Sequence, residues 1–164
     1  GSFNHHFGDT FVMPEAKVLT SAAKVPGTDG EKMSKSYNNT LEIFEPAGMQ
    51  RKKIMRIQTD SRPMEQPKDP STDHLFQLYD LFASREQAEQ MSVRYQRGGF
   101  GYGEVKKALA ELAEEHFAEA RALREQYSSQ PEKVREILGD GASQARAKAR
   151  EVLERAQHAC GVAK

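Results

Sequence analysis

The chain has 164 residues, among them 24 lysines and arginines, 24 aspartates and glutamates, and a single cysteine, Cys160. This length suffices for one domain, or for one domain with part of another, and excludes a large multidomain enzyme within these residues. The balanced charge excludes a field of one sign over the whole molecule, so any nucleic-acid contact would come from local patches, and one cysteine excludes an intrachain disulfide.

The first 40 residues favour strands and loops, because they are rich in glycine, threonine, valine and phenylalanine. Residues 10–13 and 17–19 are short β-prone segments separated by Pro14. Two such segments are too few for a stable sheet, so we expect them to form the edge of a larger one. A turn-rich stretch over residues 25–30 then leads into the sequence Lys32-Met33-Ser34-Lys35-Ser36.

After residue 40, alanine, glutamate, glutamine, arginine and leucine predominate and predict helices. Pro46 suits the first turn of a helix over residues 46–59, which the proline-rich link over residues 62–70 ends. Ser71 or Thr72 is predicted to cap the next helix. Its apolar residues fall at positions i, i+3, i+4 and i+7, namely Leu75, Leu78, Tyr79 and Phe82.

Ser84 and Gln87 have the spacing of a capping box, which predicts the start of a further helix that ends at Gly98 and Gly99. The very short joint before Ser84 predicts that the two helices pack as an antiparallel pair. An apolar stripe with charges on the opposite face predicts the longest helix, over residues 104–127.

The last part of the chain predicts two more helices. Pro131 is expected to open a short helix that ends at Leu138 and Gly139, and Gly141 to open the final one. The fold class is therefore mainly α. We expect one bundle of about five or six helices over residues 41–164, preceded by a strand-and-loop segment over residues 1–40.

Lys32 and Lys35 place two ammonium groups three residues apart, next to the hydroxyls of Ser34 and Ser36. Lysine carries a compact mobile charge, so two of them on a hinged loop suit a triphosphate whose charge shifts toward leaving pyrophosphate. By charge alone a solvated loop is the more common explanation, as it is for two basic clusters. These clusters are Arg51, Lys52, Lys53 and Arg56, and Arg146, Lys148, Arg150 and Arg155.

The order of the five residues from Lys32 to Ser36 decides between these explanations. It resembles, letter for letter, a signature of class I aminoacyl-tRNA synthetases, and it lies between strand-and-loop and helical sequence as in that family. Further segments resemble the tryptophan-specific members. They are Phe3-Asn4, Phe11, Pro14-Glu15-Ala16, Thr59-Asp60-Ser61, Gly101-Tyr102-Gly103 with Lys106, and Gly141-Ala142.

The resemblance implies an ATP site lined by Lys32, Met33, Ser34, Lys35 and Ser36, with Lys32 and Lys35 as the catalytic residues nearest the phosphates. It implies that residues 23–25 border adenine through their backbone. The parent enzyme would activate tryptophan with ATP and Mg²⁺, and transfer it to tRNA(Trp). Residues 41–164 would hold the anticodon arm, and residues 1–40 would be the remnant of the catalytic domain.

The family's second ATP signature and its tryptophan pocket have no counterpart in this sequence. We therefore expect a C-terminal part of the parent enzyme, inactive alone, whose parent is a cytoplasmic homodimer without membrane contact. His5 and His6 would point apart on a strand, so no metal held by this chain is expected. The alternatives are a non-catalytic helical RNA-binding module, a helical interaction protein, and part of the related tyrosine enzyme.

Overall fold

The computed structural model describes residues 1–18 and 24–162. These residues form six α-helices, which confirms the prediction of a mainly α fold. They are α1 (Ser2–Phe7), α2 (Ala47–Met55), α3 (His74–Asp80), α4 (Arg85–Arg97), α5 (Tyr102–Ser128) and α6 (Pro131–Ala159). The chain divides into two compact units, one of Gly1–Lys17 with Glu125–Lys164 and one of Val18–Arg124.

The predicted strands over residues 10–13 and 17–19 are wrong wherever the structure describes them; Leu19 lies outside the described residues. A strand needs a neighbouring strand to satisfy its backbone groups. Here the side chain of Asn4 takes that place for Phe11, because its amide donates to the Phe11 carbonyl at 2.7 Å and accepts the Phe11 N–H at 3.0 Å. Among the described residues the β-type pairing is limited to one bridge between Pro26 and Lys32.

The unit Val18–Arg124 has a core formed by α2 to α5. Its fully buried side chains include Ile54, Ile57, Leu75, Leu78, Tyr95, Phe100, Val105 and Leu109. The capping box of Ser84 and Gln87 is present at the start of α4, as predicted. Helix α3 packs against α4, and the ring of Phe76 on α3 meets that of Tyr95 on α4 at 5.1 Å.

The predicted cap of α3 is wrong by one or two residues. Asp73 caps this helix, because its carboxylate accepts the N–H of Phe76 at 2.9 Å. The hydroxyls of Ser71 and Thr72 instead donate to the carboxylate of Asp69, at 2.7 and 3.3 Å. A carboxylate two or three residues upstream therefore occupies the two hydroxyls that the sequence offered as caps.

A buried ammonium fixes the proline-rich link that precedes α3. Lys68 is only 3% exposed, and its Nζ lies over the ring of Phe100 at 4.7 Å from the centroid. The three hydrogens of the same ammonium are shared among four backbone carbonyls at 3.1–3.4 Å, those of Pro63, Met64, Gln66 and Phe100. These bonds replace the hydration that the ammonium loses on burial. They also join the proline-rich link to Phe100 in the α4–α5 connection, and so they fix the path of the link.

The last two predicted helices are one. Helix α6 runs without interruption from Pro131 to Ala159, and Gly139 and Gly141 lie inside it. Proline does occupy its first turn as predicted. A glycine inside a helix costs up to about 1 kcal/mol relative to alanine, which two positions in a helix of 29 residues tolerate. No helix among the described residues is both long and apolar enough to cross a membrane.

This continuity predicts that Gly141→Ala stabilises the chain by about 0.5–1 kcal/mol, because alanine loses less backbone entropy on entering the helix. A Cβ at Gly141 would meet no atom within 4 Å. The measurement is urea denaturation followed by circular dichroism. Gly98→Ala is the opposed control and should destabilise, because Gly98 has φ +74° and a Cβ there would lie 2.5 Å from the Glu65 carbonyl oxygen. A destabilised Gly141→Ala variant would contradict the continuous helix.

Candidate functional site

Residues 24–39, here called the lysine loop, carry the five residues singled out in the sequence. Backbone hydrogen bonds close the base of this loop. The N–H of Met33 donates to the Val25 carbonyl at 2.9 Å, and the N–H of Gly27 donates to the Glu31 carbonyl at 2.6 Å. The side chains of Val25 and Met33 are half-buried against the helical core. The loop therefore stands on a hydrogen-bonded, apolar base.

The amide side chain of Asn39, which is 2% exposed, fills the inside of the loop. Its Nδ2 donates to the Asp29 carboxylate at 2.8 Å and to the Lys32 carbonyl at 3.2 Å. Its Oδ1 accepts the N–H of Ser34 at 2.8 Å, and its own backbone carbonyl accepts the N–H of Thr28 at 3.0 Å. One side chain thus joins both arms of the loop, and each of its polar atoms has a partner.

Gly27 is the position where the backbone comes closest to this amide. A Cβ at Gly27 would overlap the side chain of Asn39. The φ of Gly27 lies outside the left-handed region, so the close approach alone is the reason that glycine is required here. Gly27 and Asn39 therefore fit one another, although they are twelve positions apart in the sequence.

The five signature residues, Lys32 to Ser36, lie on the second arm of this loop. Lys32 and Lys35 are exposed, and neither forms an ion pair within 4.0 Å with another described residue. Lys35 opens a short 3-10 helix, Lys35–Tyr37, which Ser34 caps by accepting the N–H of Ser36 at 3.3 Å. The structure therefore brings all five residues onto one loop, with both ammonium groups available to an anionic ligand.

Residues 23–25, expected to border adenine, are described in part. Ala23 lies outside the described residues. The carbonyl of Val25 already accepts the Met33 N–H, and its side chain packs on the core. An adenine contact at this position remains a prediction.

The basic cluster at α2 contains one residue in an ion pair and three residues exposed to solvent. Lys53 pairs with Glu45 at 2.9 Å, whereas Arg51, Lys52 and Arg56 are exposed. On α6, Arg146, Lys148 and Arg150 are exposed with only alanines between them, and Lys148 pairs with Glu151 at 3.1 Å. Such exposed pairs stabilise a helix weakly. Both helices therefore present exposed cations to a phosphate backbone, namely Arg51, Lys52 and Arg56 at α2, and Arg146 and Arg150 on α6.

Among the described residues, no cluster of three or more histidine, cysteine, aspartate or glutamate side chains has an arrangement that could hold a metal ion. His5 and His6 lie on α1 and not on a strand, with their rings 5.1 Å apart. The expectation that this chain holds no metal stays a prediction.

Comparison with known proteins gives a family match that includes the lysine loop. The family model of class I tRNA synthetases for tryptophan and tyrosine (W and Y) matches residues 2–118. The chain belongs to this class I synthetase family. The match begins before the lysine loop and continues through α2, α3 and α4 into α5.

Individual relatives of this synthetase chain are tryptophan enzymes. Over 162 residues it is 60% identical to the tryptophan–tRNA ligase of Rhodopirellula baltica, covering 99% of the chain and 51% of that protein. The crystal structure of tryptophanyl-tRNA synthetase from Campylobacter jejuni complexed with ADP and tryptophan has a TM-score of 0.78 and 39% identity, and the match covers 96% of the chain and 50% of that structure. The chain spans about half the length of the curated relatives it matches.

The sequence of this synthetase chain identifies the exposed lysines but not the residues that brace their loop. It indicates Gly27 and Asp29 only as part of a turn-rich stretch and gives Asn39 no role, because the contacts of these residues join the two arms of the loop. The Asn38-Asn39 pair is the available signal, since asparagine tolerates left-handed backbone, as Asn38 does at φ 53°, and often binds nearby backbone in turns. The signature residues can be recognised by their order, whereas the brace is visible only in the fold.

The brace predicts the acid–base behaviour of Asp29. The hydrogen bond from Asn39 is the largest of the interactions that hold the pKa of Asp29 below its usual value. A lowered pKa in the folded state gives stability that is present above the unfolded pKa and is lost as pH falls through the folded pKa. Asn39→Ala should therefore raise the pKa of Asp29, as measured by carbon-13 NMR titration of its carboxyl group.

Asp69 is the control carboxyl for this titration. Hydrogen bonds from Ser71 lower its pKa, and Asn39 takes no part in them. Its pKa should be the same in both proteins. An unchanged pKa for Asp29 in the Asn39→Ala variant would refute the brace.

Proposed function

We propose that this chain is the C-terminal part of a tryptophan–tRNA ligase, in which the lysine loop acts on ATP when tryptophan is activated. The observation that carries the proposal is the pair of exposed lysines on a braced loop, in a class I synthetase chain whose relatives include tryptophan enzymes. A relative whose structure holds ADP and tryptophan supports an adenine nucleotide and tryptophan as ligands of the parent of this chain.

The reaction explains why two mobile cations are useful. A carboxylate oxygen of tryptophan attacks the α-phosphorus of ATP, and the bond from that phosphorus to the pyrophosphate oxygen breaks. Tryptophanyl-adenylate forms, and negative charge accumulates on the departing pyrophosphate. The ammonium groups of Lys32 and Lys35 would stabilise this charge more in the transition state than in bound ATP, which raises the rate of the step. Mg²⁺ would accompany the phosphates of ATP.

The other signature residues would shape the same site. Met33 ties the loop to the apolar core, so the adjacent lysines have a fixed base. Ser34 caps the 3-10 turn, and Ser36 stands exposed beside Lys35, where its hydroxyl would donate to a phosphate oxygen. The loop would combine a rigid base with mobile charged tips, which suits a ligand whose charge distribution changes during the reaction.

The remaining partners follow from the same proposal. The tryptophan pocket would lie in the half of the parent that this chain does not span, so the chain alone would be inactive. The helical part, residues 41–164, would bind the anticodon arm of tRNA(Trp), with Arg51, Lys52 and Arg56 available to backbone phosphates. The parent would act in the cytoplasm as a homodimer.

The proposal is tested by ATP–pyrophosphate exchange in the parent enzyme that contains this chain. The wild-type enzyme should exchange pyrophosphate in the presence of tryptophan and not of tyrosine. Lys35→Ala should lower kcat by about 10²–10³-fold, the usual loss for one donor to developing charge. The KM for tryptophan should change much less, because this lysine acts on the phosphates.

Lys107→Ala is the matched control, because Lys107 is also exposed but lies on α5, outside the lysine loop. Its exchange rate should equal that of the wild type. Exchange that needs tyrosine, or a Lys35→Ala variant changed only in the KM for tryptophan, would overturn the proposal. Salt-sensitive tRNA binding without any exchange would favour a non-catalytic RNA-binding module.

A further inference from the structure

Lys106 on α5 caps a helix to which it does not belong. Its Nζ lies 2.6 Å from the carbonyl oxygen of Ile57 and 3.4 Å from that of Met55. Met55 ends α2, and Ile57 follows it by two residues. The last carbonyls of a helix lack partners inside the helix, and a cation is favoured at that end. The ammonium of Lys106 therefore satisfies groups at the exit of α2.

The carbonyl that Lys106 holds belongs to the peptide group between Ile57 and Gln58. The N–H of the same peptide group is the N–H of Gln58, and it donates to the Thr28 carbonyl of the lysine loop at 3.1 Å. One planar peptide is thus held at its oxygen by α5 and at its nitrogen by the loop. Bonds on both sides of a peptide polarise and strengthen one another.

From Thr28 the connection continues to the signature residues. The N–H of Thr28 donates to the backbone carbonyl of Asn39 at 3.0 Å. The side chain of Asn39 holds the N–H of Ser34 at 2.8 Å and the carbonyl of Lys32 at 3.2 Å. Hydrogen bonds, joined through the covalent structure of Thr28 and Asn39, therefore connect Lys106 to the backbone of Lys32 and Ser34.

The environment of Lys106 favours this use of its charge. Its side chain is half-buried, and desolvation lowers the pKa of its ammonium. No ion pair within 4.0 Å joins it to a carboxylate among the described residues. Ile57, whose carbonyl it binds, is 1% exposed. The ammonium is consequently committed to backbone carbonyls, and its neighbour Lys107 points to solvent.

We propose that Lys106 is a positioning residue for the lysine loop: its ammonium orients the Ile57–Gln58 peptide, which in turn fixes Thr28 and the backbone of Lys32 and Lys35. This inference rests on the proposed function for its effect on catalysis and on geometry alone for its effect on the loop. Lys106 touches neither substrate nor reacting atoms, so it acts through the hydrogen bonds that it holds.

The test compares Lys106→Met, which keeps the length of the side chain and removes its charge, with Lys107→Met on the adjacent exposed position. Residue-resolved amide hydrogen exchange of the chain reports the loop directly. In Lys106→Met the amides of Gln58, Thr28 and Ser34 should exchange about tenfold faster, because the Ile57–Gln58 peptide loses the bond at its oxygen and the hydrogen bonds of these amides open more often. The amide of Ala88 in α4 should exchange as before, and Lys107→Met should match the wild type throughout.

Kinetics of the parent enzyme give the second readout. Lys106→Met should lower kcat for tryptophan-dependent pyrophosphate exchange by about tenfold, with the KM for tryptophan within about twofold of wild type, since loop position affects the transition state more than tryptophan binding. If Lys106 only stabilised the fold, Lys106→Met would lower the amount of active enzyme, and kcat per active site would equal the wild-type value.

The outcomes are distinguishable. The inference is overturned if hydrogen exchange of the Gln58 and Ser34 amides is unchanged in Lys106→Met, or if the Ala88 amide exchanges faster by the same factor. Local loss of protection with unchanged kcat per active site also overturns it. If the wild-type parent shows no tryptophan-dependent exchange, the proposed function fails, and the amide data still decide whether Lys106 positions the loop. If Lys106→Met does not fold, Lys106→Gln takes its place, and the same losses are expected because its amide is too short to span both carbonyls.

Discussion

The buried carboxamide of Asn39 is the interaction on which the lysine loop depends. It supplies two donor hydrogens and one acceptor to three partners on both arms of the loop, Asp29, Lys32 and Ser34. A leucine of similar volume would leave the N–H of Ser34 without this partner, at a cost of about 1–3 kcal/mol for a buried polar group. An aspartate would lose both donors and would face the carboxylate of Asp29. Asparagine satisfies all three partners at once.

This brace explains how the loop presents charge. Rigid backbone lies inside, where Asn39 and Gly27 fit together, and flexible lysine side chains lie outside. A base fixed by hydrogen bonds reduces the entropy lost on ligand binding, while the long side chains adapt to the phosphates. Helix α5 extends the same support, since Lys106 at its start holds the exit of α2, and Arg121 further along binds the Gln50 side chain of α2 at 2.8 Å. The loop is therefore supported by the helices as well as by its own bonds.

Sequence patterns were sufficient wherever one element decides its own structure. The capping box of Ser84 and Gln87 and the glycines that end α4 are local, so they could be predicted. The bounds of α6 could not, because two glycines that often end helices are tolerated inside a long one. The strands predicted near Phe11 fail for a different reason, since a side chain, Asn4, satisfies the backbone that a strand would have paired.

The candidate site also has a part that sequence patterns predict and a part that they do not. The order of residues 32–36 identifies them, but the contacts of Asn39, and of Lys106 with Ile57, join residues five to 49 positions apart. The dependence of the lysine loop on Asn39 is tested most directly by the scalar coupling across the hydrogen bond between the Ser34 nitrogen and the Asn39 side-chain carbonyl carbon, measured by NMR on the isotope-labelled chain. A loop held by Asn39 predicts a measurable coupling. If this coupling is absent from a spectrum that shows the corresponding couplings within α4, Asn39 does not hold the loop.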